Sequence, residues 1–381
     1  MMRRLVTGML GVALLAVAAR TLSADDSVFG IRGLGILGRA HSAQSAAAGG
    51  GFALFDAEGG TNPAALSRWH GISGWAVGSP SRRQFDAGSG GASLTSTRFP
   101  LVGFSTVIGQ RWFVGVTISD FLDRTWSVHS VDTVAPRGVP LQVNDQSKSF
   151  GGVSDLRFGA AYRASPTWAV GVGLHALTGS TRLDVIRQFA DTAYRSFHDT
   201  AVTDFSGFGL SAGALITPRP NLVLGVSVRV STNLRAKSSS GQRASVPLPR
   251  EFAFGAHYTA SAGFVLAASV GYAGWSRAAD SLAAVGQERS RNVWSVGAGA
   301  EVETIRLGPS RVPLRVGYRW RQLPFPVAGA ALAEHAFTAG FGLSLVGGRT
   351  LLDVGYERGR RAAGALSETV TTGYLGITVR P

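Results

Sequence analysis

The sequence predicts an all-β fold: a transmembrane antiparallel β-barrel of about fourteen strands. Three observations predict it. Apolar and polar residues alternate over most of the chain after residue 70, the connections are short and long in turn, and aromatic residues sit near the ends of the apolar faces.

The alternation is clearest at 222–230. One face carries Leu222, Leu224, Val226, Val228 and Val230; the other carries Val223, Gly225, Ser227 and Arg229. Successive side chains of a strand point to opposite faces, so one face is oily and the other small or polar. The same pattern recurs at 294–303, 312–321, 352–357 and 372–380. The expected strands are 71–79, 101–109, 111–120, 154–164, 167–182, 202–217, 221–235, 249–260, 263–277, 292–304, 312–323, 335–346, 350–361 and 369–380. The first two are short, and 85–98 is able to hold part of the second.

A soluble sandwich also alternates, so the connections matter. The short ones are 109–111, 165–166, 218–220, 261–262, 305–311 and 346–349. The long ones are 80–100, 121–153, 183–201, 236–248, 278–291, 324–334 and a lesser one at 362–368. Outer-membrane barrels sort their links this way, with tight periplasmic turns and longer outer loops. Trp112, Tyr162, Trp168, Tyr258 and Phe264 then fall toward one edge, and Tyr272, Trp294, Tyr318, Trp320 and Phe337 toward the other. Two belts are expected because amphipathic rings favour the headgroup level. Lipid offers no water to unpaired backbone groups, so a spanning sheet must close on itself.

Residues 1–24 read as a signal peptide. Arg3 and Arg4 precede the apolar run Leu5 to Ala19, and Ala24 offers a small residue for cleavage. Export to the bacterial outer membrane follows as an expectation. No later apolar run is long enough for a spanning helix, which needs roughly 20 residues. The absence of cysteine excludes a disulfide framework, cysteine metal sites and a lipid-anchored N-terminus.

The chain has 37 basic and 23 acidic residues. The basic residues recur between apolar ones rather than clustering in a patch, which fits polar barrel lining and not nucleic-acid binding. The 51 glycines would weaken helices but suit a barrel whose walls bend and whose interior must stay open.

Residues 25–70 lack the period of two. They contain Gly33-Leu-Gly-Ile-Leu-Gly38, a Gly/Ala stretch with Asp56, and Asn62-Pro-Ala-Ala-Leu66. The glycine motif has no strand before it and no βαβ unit around it, so it is not a dinucleotide site. Arg32, Gly33, Gly38, Ala40, Asp56, Asn62, Pro63, Ala64 and Leu66 resemble the start of the FadL-type outer-membrane transport family, including its PorV-like barrels. The resemblance implies a fourteen-strand barrel (71–381) with an N-terminal plug (25–70), its Asn62-Pro63-Ala64 turn packing at the periplasmic mouth. Gly49-Gly-Gly51 and Gly59-Gly60 are expected to loosen that segment, and the C-terminal Val379-Arg380-Pro381 lacks the terminal aromatic residue of many barrels.

Alternation places Arg157, Arg163, His175, Arg229, Glu251, His257, Glu301, Glu303, Arg315, Arg319, Arg321, Asp353, Glu357 and Arg380 in the lumen. Most are expected to pair across strands. Arg229, Arg315 and Arg319 are the candidate contacts for an anionic head group, because a guanidinium offers forked donors. The resemblance implies passive uptake of hydrophobic small molecules such as long-chain fatty acids. The alternative is a PorV-like partner-binding barrel serving protein export or cell-surface assembly. The expected partners are outer-membrane lipid and a hydrophobic ligand, or a protein under the second reading. Loops 121–153 and 183–201 are mixed rather than oily, which counts against a fatty acid specifically. No Walker loop, H-E-x-x-H or nucleophile elbow occurs, and the seven histidines show no Ser/His/Asp spacing that alternation would gather. The sequence therefore reads as a non-enzyme with no catalytic residues, no metal and no cofactor.

Overall fold

The computed structural model describes residues 28–380 apart from 87–90, 136–137, 139, 192, 308–309, 328 and 364–365; the signal peptide expected at 1–24 lies outside them. The strands in chain order are β1 (Ile36–Leu37), β2 (Ser73–Asp86), β3 (Gly91–Ile108), β4 (Trp112–Asp123), β5 (Trp126–Val134) and β6 (Leu141–Ser165). There follow β7 (Trp168–Phe189), β8 (Phe197–Arg219), β9 (Leu222–Ser231), β10 (Asn233–Ser238), β11 (Arg243–Pro247) and β12 (Arg250–Ser261). The last are β13 (Phe264–Ala273), β14 (Val293–Leu307), β15 (Ser310–Val327), β16 (Ala330–Leu345), β17 (Thr350–Ala363) and β18 (Leu366–Val379).

Fourteen of these are staves of a closed antiparallel barrel. Each pairs with the next stave, and β18 closes onto β2 with Val379 opposite Gly74 and Ser367 opposite Asp86. The other four lie off the ring. β1 pairs with β4, β5 with β6, and β10 with both β8 and β11.

The ring is oily outside. Phe208 is 67% exposed and Phe337 69%, and Val172, Leu174, Leu210, Val316 and Leu375 are exposed beside them. Such a surface is far larger than the scattered apolar patches of a soluble monomer. Trp112 packs at a tilt against Tyr162 at one edge, and Tyr272 against Trp294 at the other, with ring centroids 4.8 and 4.9 Å apart. The inner faces carry glycine, serine and charge, and the buried apolar clusters form between these faces and residues 28–70. Leu54 and Leu66 are fully buried there, worth about 1.5–3 kcal/mol each.

The expected links need correction at one end of the barrel. The tight turns occur where alternation placed them, as at 109–111, 166–167 and 262–263. Most of the expected long loops are strand. β6, β7 and β8 run for 25, 22 and 23 residues, and β6 stays paired with β7 from Val143↔Phe189 to Ser165↔Trp168. Similarly, 80–100 is mostly the β2–β3 hairpin, 324–334 is mostly the ends of β15 and β16, and 362–368 mostly the ends of β17 and β18. Only about 9–11 residues of a tilted strand are needed to cross the apolar layer. Beyond it water bathes both faces, so the ladder continues while the alternation that marks it fades. The 278–291 link instead folds into a 3-10 turn (Trp275–Ala278) and a short helix (Ala279–Ala283), with Trp275 and Leu282 buried.

Candidate functional site: the lumen between the N-terminal segment and the wall

Residues 28–70 are built from caps. Ser42 caps the helix Ala43–Ala47, its side chain accepting from the Ser45 amide at 3.1 Å. Asp56 Oδ2 accepts from the Ser42 amide and Oδ1 from the Glu58 amide, at 3.2 and 3.0 Å. Asn62 caps the 3-10 turn Pro63–Arg68, its Oδ1 accepting from the Ala64 amide at 3.0 Å. Pro63 fits the first position, where no amide hydrogen is needed.

Those same residues meet the wall. Asn62 Nδ2 donates to Leu54 O and to Ala214 O of β8, at 3.1 and 3.3 Å. Thr338 of β16 donates to Ala47 O, and Ser269 of β13 to Gly50 O. Gly49-Gly-Gly51, expected to loosen the segment, does the reverse. Gly49 has φ 64°, and a Cβ on Gly51 would lie 2.6 Å from Ala267 O. A Cβ on Gly317 of β15 would lie 2.2 Å from the Ala48 carbonyl carbon. Glycine on both partners allows backbone to lie against backbone.

One wall, β14 to β18, is filled with ion pairs. Arg39 donates to Glu357 at 2.7 and 3.0 Å and to the Tyr374 hydroxyl at 2.8 Å. Arg319 bridges Glu357 and Glu334 at 2.8 and 2.6 Å. Arg321 and Arg361 also hold Glu334, and Arg361 reaches Glu368 at 2.9 Å. Arg315 pairs with Glu301 and Asp353, both at 2.5 Å.

A cavity of about 290 Å³ is bordered by the other wall, β6, β8, β9, β12 and β13, and also by Ser295, Arg319 and Arg321 of β14 and β15. Its polar side has Asp155, Ser211, Ser227, Arg229 and Glu251, and Ala53, Leu54 and Trp275 contribute apolar surface. Arg229 Nη1 pairs with Asp155 at 2.8 Å, and its guanidinium lies 5.1 Å from the Phe121 ring centroid. Its Nη2 has no partner among the described residues. His41 also borders the cavity; burial, with Arg39 next to it, pulls its imidazole down to about 4, so it is neutral at pH 7. Burial, and then the charge of Asp56, push the Glu58 carboxyl up to about 8. Thr378 donates to that carboxyl at 2.6 Å.

Of the three candidate arginines, the structure brings Arg229 and Arg319 to the cavity, and Arg315 elsewhere. Arg319 is engaged by two carboxylates and Arg229 by one, and each keeps one donor without a partner among the described residues, Nε of Arg319 and Nη2 of Arg229. Asp155, Ser211 and Arg39 were missed. Asp155 shares the inward face of Arg157, so alternation could have found it; Arg39 has no period to mark it. The expectation that no Ser/His/Asp set comes together also needs correction. His175 Nδ1 lies 2.9 Å from Asp155 Oδ2, and Nε2 lies 2.8 Å from Ser211 Oγ. These residues are separated by 20 and 36 positions, and only the pairing register brings them to one diagonal.

Among the described residues no group of His, Cys, Asp and Glu could hold a metal ion. No family model matches the chain, and no curated protein matches it. Solved structures do share its fold. The toluene transporter TbuX of Ralstonia pickettii aligns over 93% of this chain and 100% of its own, with TM-score 0.59 and 14% identity. The toluene transporter TodX of P. putida aligns over 90% and 99%, with TM-score 0.59 and 13% identity. A FadL homologue of Pseudomonas aeruginosa aligns over 92% and 99%, with TM-score 0.56 and 12% identity. The chain thus has the barrel fold of FadL-family transporters.

Proposed function

We propose that this protein is an outer-membrane channel for passive uptake of hydrophobic small molecules, with residues 25–70 as its plug. The observation that carries the reading is the cavity, which lies between the N-terminal segment and the wall of an oily-sided barrel. A solute entering from outside would rest there and pass on by movement of the segment or of nearby side chains. At about 290 Å³ the cavity is at the lower end of small-molecule pockets, roughly 300–1,000 Å³. That size suits a compact aromatic or aliphatic solute better than an extended long-chain fatty acid. Arg229, with its free Nη2, is the proposed contact for any polar or anionic end.

Uptake of labelled toluene and of a labelled long-chain fatty acid by cells displaying the full-length barrel tests this reading. Saturable uptake above an empty-vector control supports it, with toluene favoured over the fatty acid. Rates equal to the control for both would remove the transport function and leave the barrel.

A further inference from the structure

Asp155, His175 and Ser211 lie on three successive staves, β6, β7 and β8. Arg157 is opposite His175 and Gly209 is opposite His175 on the other side, so Asp155 and Ser211 are its two diagonal neighbours. All three are more than nine-tenths buried. A carboxylate can only accept, so in the neutral ring the proton sits on Nδ1 toward Asp155. Nε2 is then left with its lone pair toward Ser211, and the Ser211 O–H donates to it at 2.8 Å. This is the tautomer that a serine nucleophile requires.

Two further features separate this line from an ordinary buried ladder. Ser211 borders the cavity, while His175 lies behind it. Guanidinium donors without partners among the described residues are close by: Nε and Nη1 of Arg157, and Nη2 of Arg229. Arg157 is held by Nη2, which donates to Gly59 O at 2.8 Å and to Thr117 Oγ1 at 3.2 Å. A Cβ built on Gly173 would lie 2.5 Å from Ser211 Oγ, 3.4 Å from His175 Nε2 and 3.5 Å from Arg157 Cδ. Glycine at 173 keeps open the small space where nucleophile, base and cation converge.

We infer that Asp155, His175 and Ser211 form a serine-hydrolase relay that cleaves small hydrophobic esters in the lumen. Ser211 Oγ attacks the ester carbonyl carbon as its proton passes to His175 Nε2. Asp155 holds the imidazolium, and Arg229, which borders the cavity and has Nη2 without a partner among the described residues, supplies a donor for the developing oxyanion. The C–O bond breaks, the proton on Nε2 goes to the departing alkoxide, and an acyl-serine remains. Water then attacks the acyl carbon with His175 again taking the proton. The acid is released and Ser211 recovers its proton. The net reaction is ester plus water to acid plus alcohol. The inference needs only that the cavity admits the ester, and it stands whether or not the barrel conducts solute.

The test uses full-length protein in detergent, with p-nitrophenyl butyrate as substrate and a fluorophosphonate probe as covalent label. The wild type should hydrolyse the ester above buffer and carry the label on Ser211 by peptide mass spectrometry. S211A should abolish labelling, and both S211A and H175Q should lower hydrolysis by at least about 100-fold. The heat-induced gel shift of each variant reports whether its barrel is intact. Wild-type hydrolysis equal to buffer, absence of label at Ser211, or a folded S211A variant with undiminished hydrolysis would each overturn the inference and assign the three residues to barrel packing.

Discussion

The two walls of the lumen use the same residue types to different ends. On β14 to β18 Glu301, Glu334, Asp353, Glu357 and Glu368 each meet at least one arginine, and Glu334 meets three. On β6 to β9 and β12 the polar groups are fewer, and Glu251 borders the cavity with no ion pair among the described residues. The first wall commits Arg315, Arg319, Arg321 and Arg361 to carboxylates, with Nε of Arg319 left over; the second has fewer acids, so Nη2 of Arg229 and Nε and Nη1 of Arg157 stay without partners among the described residues. Buried ion pairs add little net stability over apolar packing, but removing one partner strands a charge. The ion-paired wall is therefore best understood as a clamp on the N-terminal segment, reached through Arg39 and Gln44. The open wall is where a ligand can find hydrogen bonds.

The comparison predicts unequal costs. Glu334→Leu leaves Arg319, Arg321 and Arg361 without a shared acceptor, and should lower stability by about 3–5 kcal/mol. Urea titration of the detergent-solubilised barrel, read by the heat-induced gel shift, measures this. A loss below about 1 kcal/mol would show that the clamp is not one network. Arg229→Met should cost less, about 1–2 kcal/mol, because Asp155 keeps its hydrogen bond from His175. Its larger effect should be on uptake of solutes with an anionic end, while toluene uptake changes little; the reverse ranking would break the division between the walls.

The smallest effect concerns pH. Glu58 holds its proton up to about pH 8 in the folded protein, whereas an ordinary glutamate loses it near 4.5. Between those values the folded state binds more proton than the unfolded one, so its contribution to stability falls as pH rises and levels off above 8. Glu58→Gln keeps an acceptor for Thr378 and removes this part of the slope. Asp56, also pushed up by burial, keeps part of it. Thermal midpoints of wild type and variant at pH 5 and pH 8.5 give the slopes, and equal slopes would place Glu58 in water.

How much of this the sequence reveals depends on what surrounds each residue. Lipid outside and a packed lumen inside impose opposite chemistry on successive residues, so the faces of 222–230 and 352–357 are legible without a structure. The outer part of β6, Gln142 to Ser149, meets water and other strands on both sides and shows no such contrast. The arginines of the clamp are legible as lumen residues, but their partners are not. Arg321↔Glu334 and Arg315↔Glu301 are cross-strand neighbours only once the register is known. The contact between Arg39 and Glu357 spans 318 positions and leaves no local trace.

All of this rests on the N-terminal segment lying inside the ring. A Cβ placed on Gly355 of β17 would be 3.3 Å from the Ala47 Cβ, close to the roughly 3.5–4.5 Å of a disulfide. The chain has no cysteine, so an engineered pair reports without background. Mild oxidation of an Ala47→Cys, Gly355→Cys protein in isolated membranes should link the two positions, seen as a single crosslinked peptide after digestion. Two freely alkylated thiols in a barrel that still shows the heat-induced gel shift would contradict the account.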